Sequence, residues 1–116
     1  MALTVSESGV YRLSGSCADG SVTIKKGTTD VTLILDNLTL TSTDTAPITC
    51  GKSSQVTIEA AAGTVNALSD SEQNNGDTYP ANENAENAVL KCKDGSQVTL
   101  CGTGSLTLTA NGKNGI

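Results

Sequence analysis

ITCGKSSQVTI, residues 48–58, returns as LKCKDGSQVTL at residues 90–100, and the two align over eleven positions without a gap. Cys50 falls on Cys92, Ser54 on Ser96, Gln55 on Gln97, Val56 on Val98 and Thr57 on Thr99. The shared ending belongs to a wider set. Val22-Thr23-Ile24 and Val31-Thr32-Leu33 have the same form, and Leu3-Thr4-Val5, Leu38-Thr39-Leu40 and Leu106-Thr107-Leu108 are close relatives of it. An apolar–Thr–apolar triplet turns two side chains to one face and Thr to the other, the period of an extended strand. β-branched residues pack well on such a pleated surface.

Spacing converts the motif into an architecture. Val31 and Val56 lie 25 residues apart, whereas Val56 and Val98 lie 42 apart because a polar segment, residues 69–87, intervenes. Subtracting about 17 residues of it restores the shorter period. A period of that length made of three short strands is one turn of a parallel β-helix. The expected fold is therefore all-β, a right-handed single-stranded parallel β-helix (a solenoid) of about four coils of roughly 25 residues with one long loop insertion. Strands are expected at 31–35, 38–41 and 47–50, at 56–60, 64–68 and 88–92, and at 98–101 and 106–110, with another beginning at 115–116. Residues 1–21 read as an irregular N-terminal coil or cap, with Tyr11-Arg12-Leu13 as one strand. The whole, 1–116, reads as a single domain that stops within a coil. No window carries a helical i, i+3, i+4, i+7 stripe. A sandwich of hairpins is the competing all-β arrangement, but it does not require coil-to-coil identity.

Composition narrows the function classes. Seven basic and twelve acidic side chains leave a net charge of −5, which opposes nucleic-acid binding and adsorption to anionic membranes. No run of about 18 apolar residues is present to span a bilayer, and the first residues do not read as a secretory leader. Trp, Phe and His are absent and Tyr11 and Tyr79 are the two aromatics, so the core must be built from Val, Leu, Ile and Ala. Without His, neither an imidazole-activated nucleophile nor a His-ligated zinc is available.

The insertion is the segment that breaks the repeat, and its chemistry is distinctive. Asp70, Glu72, Asp77, Glu83 and Glu86 supply five carboxylates, and Asn74, Asn75, Asn82, Asn84 and Asn87 supply further oxygens. Calcium takes six to eight oxygen ligands from a flexible loop, so the inventory suits it, although the spacing is not that of an EF-hand. A solvated acidic loop is the alternative reading of the same residues.

Four stretches, DVTLILDNLTLTS (30–42), API (46–48), ENAVLKCKDG (86–95) and GTGSLTLTANGKNGI (102–116), together resemble one family, as does the opening GVYRLSG (9–15). That family is the secreted bacterial carbohydrate-binding parallel β-helix proteins, typified by a clostridial cellulose- and polygalacturonate-binding protein. The resemblance spans essentially the whole chain, mostly through structural positions, and corresponds to the N-terminal part of such a domain. It implies a noncatalytic module for plant cell-wall polysaccharide, cellulose or acidic pectin-type sugars, in a secreted or cell-surface setting. It also makes calcium a sensible cofactor, since a cation can bridge protein and uronate carboxylates. On that basis the metal ligands are expected to be Asp70, Asp77, Glu86 and Asn87, with Asp94 on the following turn, and Tyr79 and Glu83 are expected to contact the sugar.

Other residues have more ordinary readings. Cys50 and Cys92 should stack on successive coils as reduced core thiols, although a disulfide between neighbouring strands is also compatible with their Cα spacing; Cys17 and Cys101 have no evident partners. Thr32, Thr57 and Thr99 should form an outward ladder, with Thr23 also outward, which is good strand chemistry. Polysaccharide lyases and hydrolases share the expected architecture, with Asp36 and Asp94 as possible carboxylates and Arg12, Lys91 and Lys93 as possible bases. None sits in a recognisable catalytic spacing, and a fold does not confer an activity. The alternative of a different class is a structural segment, a homo-oligomer assembling through open ends.

Overall fold

Val31, Leu33 and Leu35 alternate as apolar positions, and Leu38 and Leu40 resume the alternation one residue out of step, in the longest described strand, β4 (Val31–Ser42). The computed structural model describes residues 2–116. Ahead of β4 lie β1 (Ala2–Val5), β2 (Gly9–Cys17) and β3 (Ser21–Ile24); after it come β5 (Ile48–Cys50), β6 (Gln55–Ala60), β7 (Val65–Asp70), β8 (Leu90–Cys92), β9 (Gln97–Cys101) and β10 (Ser105–Thr109). They form two sheets. One has four strands in the order β1-β3-β5-β8; the other has six, in the order β10-β7-β4-β6-β9 with β2 also on β4.

The repeat noticed in the sequence is the register of these sheets. Val31 pairs in parallel with Val56 and Val56 with Val98, so Thr32, Thr57 and Thr99 form the expected ladder. Ile48 pairs with Leu90 and Cys50 with Cys92. The columns whose side chains turn inward become the core: Ile24, Leu33, Leu35, Ile48 and Val89 are fully buried, and Leu40, Ile58, Leu68 and Leu90 nearly so. Each such side chain contributes about 1.5–3 kcal/mol by leaving water.

The expected right-handed single-stranded β-helix of four three-strand coils is not what forms, because the strands divide between two sheets. The decisive local difference is at Asp36-Asn37. The expected strands 31–35 and 38–41 are one continuous strand, since Asn37 adopts a left-handed conformation (φ 55°) and is skipped in the pairing of β2 with β4, where Ser14 opposes Asp36 and Gly15 opposes Leu38. An extra residue of this kind is a β-bulge, which bends a strand without ending it. Asn tolerates the left-handed region better than most residues. The bulge is held by side chains. Asn37 Oδ1 accepts from Val65 N at 3.0 Å, and buried Asn66 Oδ1 accepts from Leu38 N at 2.8 Å. Beyond the bend, β4 leaves β6 and pairs with β7.

Two further expectations change. Residues 1–21, read as an irregular cap, contain β1 and β2, with Leu3 on Val22 and Tyr11 on Leu33. Residues 115–116 do not start a strand; the chain there makes an isolated bridge from Asn114 to Ala88, and Gly115 O accepts from Leu90 N at 2.9 Å.

Candidate functional site

The insertion begins two residues later than its composition indicates, because Ser69 and Asp70 are the last residues of β7. The loop after β7 is tied down by asparagine side chains acting as substitutes for backbone groups, the Asx chemistry of turns. Asn74 is fully buried; its amide donates to Asp70 Oδ2 at 2.8 Å and to Ala88 O at 2.9 Å, and its oxygen accepts from Glu86 N at 2.6 Å. Asn75 Oδ1 accepts from Asp77 N and Thr78 N, while its amide reaches Gly112 O at 2.9 Å. Asn82 donates to Asp44 O and Gln73 O and accepts from Asn84 N. The segment is thus held by an internal scaffold of asparagine amides.

The expected metal ligands are dispersed within it. Asp70, 2% exposed, accepts from Asn111 N at 2.7 Å and Gly112 N at 3.1 Å besides Asn74, so its carboxylate binds the next layer of the fold. Asp77 is ion-paired with Lys113. Glu86 lies 3.4 Å from Lys93 Nζ, and it shares a shallow pocket with Asp94, Lys52, Lys91 and Lys93. Three ammonium groups around two carboxylates repel a divalent cation. Asn87, with φ 64°, accepts from Gly76 N. Among the described residues no three acidic or thiol side chains cluster as a metal site.

A groove is nevertheless present on the same segment. Tyr79, Pro80, Ala81 and Asn82 line one side of it, with Gln73 and Asp44 completing it, around a volume of about 480 Å³, within the size range of small-ligand sites. Tyr79 is 36% exposed, and its backbone N–H is anchored to Asn75 O at 2.7 Å. A tyrosine so placed offers an apolar face beside a polar tip. Glu83 is exposed close by in sequence but does not line the groove. Of the lining residues the sequence singled out Tyr79 alone as a contact; Asp44, Gln73, Pro80, Ala81 and Asn82 are added by the structure. Asp44 lies far upstream of Tyr79, and tertiary bonds from Asn82 to Asp44 O, 3.3 Å, and from Ser71 to Thr43 O bring it there.

A second polar surface runs along the Thr ladder, where Asp30, Thr32, Gln55, Thr57, Gln97 and Thr99 line a shallow depression of about 360 Å³. Gln55 and Gln97 are opposite each other in register. Of the thiols, all free, Cys50 is buried as expected, whereas its partner Cys92 is exposed at the end of the sheet. Burial, and secondarily the neighbouring Cys92, push the Cys50 thiol up to about 12.

A family model for carbohydrate-binding domain-containing proteins matches residues 1–116. The chain belongs to that family. A protein of Acetivibrio thermocellus, itself described as a carbohydrate-binding domain-containing protein, is 34% identical over 113 residues, covering 97% of this chain. The chain spans 38% of the length of that relative. No solved structure matches.

Proposed function

We propose that this chain is a noncatalytic module that binds plant cell-wall polysaccharide, of cellulose or pectin type, through the groove at Tyr79. The observation that carries the reading is a part-exposed aromatic ring in a groove it shares with Asp44, Gln73 and Asn82, where the Asn82 amide ties the backbone oxygens of Asp44 and Gln73 together. Membership of a carbohydrate-binding family supports it. Sugar rings present apolar C–H faces and a rim of hydroxyls, which suit a half-exposed ring and neighbouring amide and carboxylate groups respectively. A noncatalytic role is favoured because glycoside hydrolysis needs two carboxyl groups flanking the bond, and Asp44 is the one carboxylate lining the groove. Asp36 is held by Arg12 at 2.6 Å, and Asp94 sits among lysines. A polysaccharide target implies a secreted or cell-surface setting.

This reading does not call on calcium, since Asp70, Asp77, Glu86 and Asn87 are each engaged by other groups of the chain. The test is a pull-down on insoluble cellulose and on polygalacturonate, with calcium or with chelator, comparing the chain with Tyr79→Ala. Retention on one polymer, reduced at least tenfold in the variant and indifferent to chelator, is the expected result. Equal retention of the variant overturns the site, absence of retention on both polymers overturns the function, and loss on chelation restores the calcium reading.

A further inference from the structure

We propose that the Tyr79 groove is a charge filter: it takes glycan chains that carry no charge and turns the same chains away when they carry free carboxylates. The proposal rests on the groove as the carbohydrate site and narrows what enters it. Of the pectin-type polymers, only esterified galacturonan then stands beside cellulose.

One lining residue of the groove, Asp44, is an acid and none is a base. The chain around it has the same bias. From residue 27 to residue 90 Lys52 is the single basic side chain, against nine of the twelve acids, and every lining residue falls within that stretch. Glu72 immediately precedes Gln73 and Glu83 immediately follows Asn82, and both are exposed. Three carboxylates thus stand in the groove or next to a lining residue. None of the three takes part in the ion pairs found among the described residues. Lys52, Lys91 and Lys93 gather instead in the pocket with Glu86 and Asp94, which shares no lining residue with the groove. Lys113 is occupied by Asp77. The negative charge at the groove is therefore left without a counter-charge from the chain.

Hydrogen-bond chemistry points the same way. An ionised carboxylate accepts and does not donate. A sugar hydroxyl gives its proton to Asp44, whereas a free uronate meets it acceptor against acceptor, with like charge added. The backbone of Asp44 is tied to the segment through Asn82, at 3.3 Å, and its neighbour Thr43 through Ser71, so the acid stays with the groove. In bulk water two like charges about 5 Å apart weaken an association about fourfold. Three carboxylates near a polymer charged on every sugar should weaken it about tenfold or more at low salt. Esterification removes that charge and leaves the apolar ring faces for Tyr79.

The test offers each backbone in both charge states: cellulose and cellulose with its primary hydroxyls oxidised to carboxylates, methyl-esterified galacturonan and polygalacturonate. Chelator is present throughout, so no divalent cation bridges carboxylates. Retention of the 116-residue chain is measured at about 10 mM salt, where charges are felt over about 30 Å, and at about 1 M, where they are felt over about 3 Å. The chain should be held by at least one uncharged polymer, about tenfold less by its charged form at low salt, with the gap closing at high salt. Asp44→Asn, and separately Glu72→Gln combined with Glu83→Gln, should each raise the ratio of charged to uncharged retention about threefold or more at low salt. Because the readout is a ratio, a variant that merely loses folded protein leaves it unmoved. Equal or better retention of the charged form by the wild-type chain overturns the filter, as does a ratio that neither variant moves. In either case Tyr79→Ala on the uncharged polymer still decides the groove by itself. Retention on no polymer overturns the carbohydrate reading and the filter with it.

Discussion

Replacing Asp70 should cost the fold far more than replacing any other acid of the insertion. Asp70 is 2% exposed and accepts three hydrogen bonds, from Asn74 Nδ2, Asn111 N and Gly112 N at 2.8, 2.7 and 3.1 Å. Bonds to an ionised acceptor contribute about 1.5–3 kcal/mol each, and a buried donor left unmatched costs about 1–3 kcal/mol. Asn111 and Gly112 regain part of this from water, because they are not buried; Asn74 is fully buried and cannot. Asp70→Ala should therefore lose about 3–5 kcal/mol. Asp70→Asn keeps an oxygen for the two backbone donors but turns its own amide toward that of Asn74, so about 1.5–3 kcal/mol is expected. Against a typical total of about 5–15 kcal/mol, either loss is large. Equilibrium urea unfolding followed by circular dichroism measures it, and the midpoint should fall with the slope unchanged. The experiment is run with calcium and with chelator. An Asp70→Asn variant within about 0.5 kcal/mol of the parent, or a parent strongly stabilised by calcium, would refute the assignment of Asp70 as an internal clamp.

Three other outcomes are expected from the geometry. Asn66→Ala strands the buried Leu38 N–H, whose bond to Asn66 is 2.8 Å, and should cost about 1–3 kcal/mol, read by the same unfolding assay. Gly102 has φ 97°, and a Cβ there would lie 2.1 Å from Ala60 O; Gly102→Ala should destabilise the fold by more than an ordinary glycine change, about 1 kcal/mol, and lower the melting temperature accordingly. Burial raises Cys50 from 9.0 to about 12, so between those values the unfolded chain has released a proton that the native one retains. Stability should accordingly decline as pH rises through that window and be insensitive to Cys50 below it; Cys50→Ala should flatten the alkaline limb, and a thiol reagent at neutral pH should label exposed Cys92 and Cys101 before Cys50.

The all-β class, the extended segments and the pairing of equivalent positions were legible in the one-dimensional string. Repeated Val-Thr-Leu triplets demand a period-2 strand, and matching residues such as Cys50 and Cys92 come to lie opposite one another. A local pattern, however, does not say whether two adjacent runs end in a turn or bend through one residue. Asn37 made that choice only together with Val65 and Asn66, which are distant in sequence. That long-range bonding turned two of the expected short strands into one long strand that pairs with β6 and then with β7 along one edge and with β2 along the other, in a fold of two sheets. The insertion illustrates the same limit. Its composition marked it as the piece outside the repeat, and Tyr79 does line a groove there, but counting carboxylates could not reveal their partners. Lys113 and Lys93 neutralise Asp77 and Glu86, and the backbone of Asn111 and Gly112 takes up Asp70. Periodicity is a property of neighbours along the chain and can be read from it. Whether a charged side chain faces a ligand or another residue depends on what tertiary packing brings against it, and that is decided only in the folded molecule.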